Sequence, residues 1–325
     1  MNGGAAQPLR PGMMLTPTLR LVRELGRGAM GTVWVAENTS LSSRVAVKFL
    51  QDRDDRNDAA RFVEEARGVS AIQSPHVVTV FDLGVSQQGD PYIVMELLSG
   101  EDLKRRLSRG GAMGLHEAAD VVVQICRGLS RAHQVGIVHR DLKPANVFLV
   151  ENDGRPLVKI LDFGVAKRMD GPSGLTLSGA MVGTPYYMSP EQIVDPRTVD
   201  HRADLWSTGA IAYACLTGRL PFLGETLGAL SIAIHQGEYP VPSSLVPSLP
   251  PSIDRWMAKA LGKRITDRFQ SAREMGEALD HAIAAVPAAP GPRTMPNGTQ
   301  LMAAVPSTLD ASSRASAAPT APPSA

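Results

Sequence analysis

The sequence predicts an α+β fold of two lobes, strand-rich first and helix-rich second, and three observations carry that prediction. Residues 20–50 alternate apolar and polar side chains around two turn-like breaks, with Leu21, Val33, Val35, Val45 and Val47 in β-rich surroundings, the pattern of half-buried strands. From Leu115 to Gln134, the residues Val122, Ile125, Cys126, Leu129 and Ala132 fall on one face at about the 3.6-residue spacing of an amphipathic helix. A chain of 325 residues that is 43% hydrophobic is also long enough to bury a real core.

Taken in order, residues 1–18 are broken by Gly and Pro and read as a short flexible leader. The strands of residues 20–50 follow, then a helix over 58–72 and two further strands near 77–83 and 92–97. After Gly100 the pattern turns helical, with later helices near 204–217, 227–235, 252–260 and 272–284. Eight of the 25 prolines lie from Pro287 onward, among Ala, Ser and Thr with no aromatic residue. Such a segment cannot bury enough apolar area to offset its ordering entropy, so residues 285–325 read as a disordered tail.

Composition excludes several function classes. Thirty-three basic residues against 32 acidic ones give a net charge of +1, which offers no electrostatic footprint for nucleic acid or an anionic membrane surface. The two cysteines, Cys126 and Cys215, form no CxxC pair, so a disulfide scaffold or zinc site is not expected and a reducing cytoplasm is the simpler setting. No signal-peptide layout opens the chain, and no window approaches the roughly 18–20 consecutive apolar residues that span a bilayer.

Gly26-x-Gly28-x-x-Gly31-x-Val33 would let bare backbone approach a phosphate closely. It runs into a strand, Thr32-Val33-Trp34-Val35, and not into a helix, so a hairpin lid over nucleotide phosphates fits better than a dinucleotide turn. Lys48 closes the apolar strand Val45-Ala46-Val47. A lone strand-end lysine is ordinarily solvated, but the next helix puts Phe62, Ala66 and Val69 on one face. Glu65 lies inside that face at about −60° from Phe62, whereas Glu64 points about 200° away. An inward carboxylate needs a cation, and Lys48 is its natural partner.

The strongest signal is the run His139-Arg140-Asp141-Leu142-Lys143-Pro144-Ala145-Asn146, followed by Asp162-Phe163-Gly164. Asp141 can accept or orient a hydroxyl proton, and Lys143 can neutralise charge on a transferring phosphoryl group. Asn146 and Asp162 offer the oxygen ligands that suit hard Mg²⁺. Any one of these could be a turn Asp or a capping Asn, but eight residues in order plus the later triplet exclude coincidence.

On these motifs, residues from about Leu19 to Ala284 resemble the protein kinase superfamily. The likeness is greatest to the bacterial branch of eukaryotic-type (Hanks-type) serine/threonine kinases, through HRDLKPAN at 139–146 and GTPYYMSPE at 183–191. The resemblance implies a protein kinase domain over 19–284, with a β-rich N-lobe (about 19–97) carrying one regulatory helix and a mainly helical C-lobe (about 98–284). ATP and Mg²⁺ or Mn²⁺ would occupy the cleft, and proteins would be the substrates. Lys48 would hold the α and β phosphates and pair with Glu65, beneath Gly26, Gly28 and Gly31. Met95 falls at the gatekeeper position, the backbone of Glu96 and Leu98 would bind the adenine edge, and Val33, Ala46 and Phe148 would sandwich the ring. Asp102 is a ribose candidate. Asp141, Lys143 and Asn146 would be catalytic, with Asn146 and Asp162 holding metal. Lys143 and Thr184 point to serine/threonine over tyrosine specificity. Glu191 would pair with buried Arg268, and Asp204 would anchor the catalytic-loop backbone.

Two departures stand out. Ala145 replaces the acidic residue that many Arg-directed kinases carry, and Ser189 replaces the usual Ala of APE, a change expected to be neutral. Arg140 is a cation suited to a phosphate, and Thr176 or Ser178 is the expected autophosphorylation site that would supply it. Two alternatives are a pseudokinase or scaffold, which would normally have lost Lys48, Asp141, Asn146 or Asp162, and a small-molecule phosphotransferase, which would not need GTPYYMSPE or Arg268.

Overall fold

The computed structural model describes residues 9–28, 31–50, 68–87, 89–152, 154–163 and 185–284. All fall within the first of two units of the chain, Met1–Val286, and none within the second, Pro287–Ala325, so the expected tail lies outside the described residues. Glu65, Thr176, Ser178, Gly183 and Thr184 lie outside them too.

The first part folds as an antiparallel six-stranded sheet. Its strands are β1 (Met14–Thr16), β2 (Leu19–Gly28), β3 (Gly31–Asn38), β4 (Ser43–Leu50), β5 (Val80–Val85) and β6 (Pro91–Glu96), in the order β1-β2-β3-β4-β6-β5. Alternation along the strands splits the sheet into two faces. Leu21, Trp34, Ala36, Val45, Val47, Phe49, Tyr92 and Val94 bury together on one. The other face carries Val33, Val35, Ala46, Lys48, Ile93 and Met95, and register sets Ala46 beside both Val35 and Met95, and Lys48 beside Val33 and Ile93. Residues 14–16, expected to belong to the leader, are strand: Met14 pairs with Arg20 and Thr16 with Leu19. The reason is apolar content, because Leu15 is buried in the sheet's core and Leu9 and Met13 pack against it.

The second part is built around helices α1 (Leu103–Gly110), α2 (Leu115–Gln134), α3 (Pro190–Val194), α4 (Arg202–Thr217), α5 (Leu227–Gln236), α6 (Pro242–Leu245), α7 (Pro251–Ala260) and α8 (Ala272–Ala284). Every residue of α4 from Ala203 to Leu216 is buried, as expected of a helix that is apolar all round. The α2 helix packs on both α4 and α8. Burial pushes the thiols of Cys126, on α2, and Cys215, on α4, up to about 12, so both behave as small apolar side chains.

A three-stranded sheet of β7 (Gly100–Asp102), β8 (Val147–Val150) and β9 (Leu157–Ile160) lies at the junction of the two parts. Backbone bonds tie it upward: Ile160 N donates to His76 O (2.9 Å), Val78 N to Ile160 O (3.0 Å) and Glu151 N to Ser99 O (3.0 Å). His76 also bonds the Val158 carbonyl through Nδ1 at 3.1 Å, and burial holds its pKa below the ordinary histidine value. Gly100 enters this sheet at φ 139°, where an added Cβ would overlap the carbonyl oxygen of Leu149. Gly100→Ala is expected to destabilise the protein by about 1–3 kcal/mol, read as a lower urea midpoint at unchanged slope. An unchanged midpoint would show that this strand shifts freely.

Candidate active site

Between the upper sheet and the small sheet lie most of the residues singled out in the sequence. His139 starts the loop and is fully buried. Its Nε2 donates to Leu161 O (2.9 Å), which leaves Nδ1 to accept from Asp141 N (3.2 Å), so the two contacts assign the ring a single neutral tautomer. The ring packs on Phe163 with centroids 4.8 Å apart. Pro144–Asn146 form a 3₁₀ turn that leads into β8. Asn146 Nδ2 donates to Asp141 O (2.8 Å) and Leu161 N donates to Asn146 O (2.8 Å), so the loop and the segment entering Asp162 share one hydrogen-bond network.

Two ion pairs sit in this network. Lys143 Nζ is 2.7 Å from Asp141 Oδ2, with both side chains largely buried. Lys48 Nζ is 2.6 Å from Asp162 Oδ1, joining β4 of the upper sheet to the segment after β9. Among the described residues this is the carboxylate that meets Lys48; the expected partner, Glu65, lies outside them. Arg140 and Asp162 both adopt positive φ, 64° and 51°, a region costly for non-glycine residues and retained where the surroundings over-determine it.

Asp204, near the start of α4, is what over-determines Arg140. Its Oδ1 accepts from Arg140 N and its Oδ2 from His139 N, each at 2.8 Å. His133, on α2, adds a third contact to Oδ2 at 2.8 Å. A carboxylate with no exposed surface thereby has its charge spread over three donors.

The expected nucleotide contacts divide in two. Gly26 pairs with Val33 and Gly28 with Gly31 at the β2–β3 tip, and Val33, Ala46 and Met95 share the face that carries Lys48. Phe148 and Asp102 pair with each other in the small sheet, and Leu98 lies in the connection between β6 and β7. Asp102 also caps α1, its Oδ1 accepting from Arg105 N at 2.9 Å, so this expected ribose contact carries a helix-start duty as well.

Sequence reasoning missed Lys159. It is buried on β9, and its Nζ reaches Glu96 Oε1 at 2.6 Å, the same oxygen that accepts Thr79 N at 2.7 Å. A lysine flanked by Val158 and Ile160 in a strand was the only available signal. Gln192 was missed as well; its Nε2 donates to Arg140 O at 2.7 Å. Glu191, beside it, forms a two-pronged pair with Arg268, Oε1 to Nη1 at 2.7 Å and Oε2 to Nη2 at 2.8 Å.

This geometry can now be set against known proteins. The family model described as "Protein kinase domain" matches residues 19–281. The chain is 41% identical over 292 residues to the serine/threonine-protein kinase Pkn1 of Myxococcus xanthus, covering 89% of this chain and 42% of that protein. It is 37% identical to the serine/threonine-protein kinase PknA of Mycobacterium tuberculosis over 308 residues, 92% of this chain and 69% of that one. The chain thus spans about two fifths of the length of Pkn1. Among solved structures, the Mycobacterium tuberculosis PknI kinase domain superposes with a TM-score of 0.66 at 26% identity, covering 85% of this chain and all of that one. Rad53 1–466 in complex with AMP-PNP gives 0.66 at 27% identity, covering 81% of this chain and 64% of that one. With its two-lobed α+β architecture and the match over residues 19–281, the chain belongs to the protein kinase domain family, among the bacterial Hanks-type serine/threonine kinases.

Proposed function

We propose that the chain is an ATP-dependent serine/threonine protein kinase that transfers the γ-phosphate of ATP to hydroxyls of proteins in the cytoplasm, working as a domain that spans residues 19–284. The observation that carries this reading is the convergence of Lys48 on Asp162 and of Lys143 and Asn146 on Asp141 within one hydrogen-bonded loop system. Phosphoryl transfer passes through a loose transition state and needs mainly positioning and charge neutralisation. Asp141 orients the attacking hydroxyl and takes its proton as the new O–P bond forms and the bond from the γ-phosphorus to the bridging oxygen breaks, ADP leaving with that oxygen. Lys143 balances the charge that develops on the phosphoryl oxygens.

Lys48, with Glu65, holds the α and β phosphates beneath Gly26, Gly28 and Gly31. Val33, Ala46, Met95 and Phe148 line the base, the backbone of Glu96 and Leu98 meets its edge, and Asp102 meets the ribose. Asn146 and Asp162 would hold Mg²⁺ or Mn²⁺, and both present the hard oxygen ligands such a cation prefers. The amide nitrogen of Asn146 is engaged by Asp141 O, which leaves the amide oxygen as its ligand atom. The bound cation would supply neutralisation of phosphate charge.

The deciding experiment follows labelled γ-phosphate from ATP with Mg²⁺ or Mn²⁺ into the protein itself and into a generic basic protein, beside Asp141→Asn. Label in neither protein, with ATP binding intact, would favour a scaffold; equal label in wild type and variant would expose a contaminant. Autophosphorylation belongs to the same reading. Mass spectrometry after incubation with ATP is expected to find phosphate on Thr176 or Ser178 in the wild type and not in Asp141→Asn, with Arg140 as the phosphate's partner. Absence of phosphate from both residues would sink that part.

A further inference from the structure

The substitution of Ser for Ala at 189 has a structural consequence that family resemblance did not suggest. Ser189 is fully buried and stands at the start of α3. Its backbone N–H donates to Gln192 Oε1 at 3.0 Å, and its hydroxyl, which also meets the Glu191 carboxylate, lies 3.2 Å from the same oxygen. An N–H donor on that oxygen fixes which way the Gln192 amide faces. The Nε2 end is thereby turned to the carbonyl of Arg140, 2.7 Å away. With Ala at 189, the amide oxygen would keep the backbone N–H and lose the hydroxyl contact.

Arg140 is a residue at which orientation matters. Its φ of 64° is sparsely populated, and its amide is held by Asp204 at 2.8 Å. Gln192 holds the opposite side of the same residue, at the carbonyl that leads directly into Asp141. Asp141, Lys143, Tyr187 and Gln192 border a small hollow at this seam. The carbonyl of Tyr187 is itself held from α4 by Ser207 Oγ at 2.7 Å, so the partner surface is anchored.

We propose that Ser189 and Gln192 form a positioning pair that clamps the carbonyl of Arg140 and so keeps Asp141 in register with the segment at 185–192. The inference rests on the phosphotransfer reading above for its effect on rate, but not for its effect on the backbone. Gln192→Glu preserves an acceptor for Ser189 and sets a carboxylate oxygen against the Arg140 carbonyl. Ser189→Ala removes only the hydroxyl. Initial rates over ranges of ATP and acceptor protein would be measured together with amide hydrogen exchange of residues 139–142.

Gln192→Glu is expected to lower kcat about three- to tenfold, the rate equivalent of one neutral hydrogen bond, with KM for ATP unchanged and faster exchange at Arg140 and Asp141. Ser189→Ala should lower kcat about twofold, and the double variant should be no worse than Gln192→Glu alone, since both act on one contact. Should Gln192→Glu fail to fold, Gln192→Asn, one methylene too short to reach both partners, carries the same expectation. Unchanged kcat in a folded Gln192 variant, or exchange at 139–142 identical to wild type, overturns the proposal. A wild type that transfers no phosphate overturns the kinase reading instead, and hydrogen exchange still decides the clamp.

Discussion

Asp141→Asn is expected to lower phosphate transfer by about 10²- to 10⁴-fold, the range for losing a general base, while leaving the fold intact. The side chain is nearly isosteric, and the backbone bonds of residue 141, its N–H to His139 and its carbonyl to Asn146 Nδ2, are unaffected by it. What changes is the carboxylate that faces Lys143 at 2.7 Å. An amide cannot take the hydroxyl proton, and it leaves Lys143 without its anion. The measurement is labelled transfer to a generic basic protein, with thermal melting as the control. A rate within threefold of wild type, in protein shown free of other kinases, would move the proton acceptor elsewhere.

Arg268→Leu is expected to destabilise the C-lobe by about 3–5 kcal/mol, because it removes one partner of a buried charge pair and strands the other. The Arg268 side chain is fully buried: besides Glu191, it donates through Nε to Gly262 O at 2.7 Å and lies 4.8 Å from the Trp206 ring. Burial alone would raise the Glu191 pKa, but the hydrogen bonds and charge of Arg268 outweigh it, and the carboxyl sits below its ordinary value. A group with a depressed folded pKa stabilises the fold fully above its unfolded pKa, about 4.3 for Glu, and that contribution fades as pH falls through the folded value. Wild type should therefore lose stability on acidification below about pH 4.3, and Arg268→Leu should show a flatter profile there. Urea midpoints at pH 7 and through the acid range test both points, and a loss under 1 kcal/mol at pH 7 would mean that Glu191 finds another cation.

Legibility in the sequence followed the length and regularity of each element. The α2 and α8 helices carry strong apolar periodicity and were expected at Leu115–Gln134 and Ala272–Ala284, as observed. The α1 helix was not delimited, since its sequence LKRRLSRG shows apolar residues only at Leu103 and Leu107. The strand Gly100–Asp102 is too short for alternation to register. Within the site, motif order alone suggested Asp141, Asn146, Asp162 and Lys48, because the chemistry demands those residue types. The Lys159–Glu96 pair and the Gln192 clamp join residues 63 and 52 positions apart. Neither has a local pattern, and only tertiary structure brings the partners together. Leu15 shows the opposite error, where Gly and Pro nearby masked an apolar side chain with a place in the core.

Consecutive residues of β9 are held from above: Lys159 by Glu96 of β6, and Ile160 by the backbone of His76 and Val78 in the segment before β5. Two residues further on, Asp162 meets the upper sheet, among the described residues, through the side chain of Lys48. A relative rotation that kept the bonds at residues 159–160 intact would register first in the Lys48–Asp162 separation.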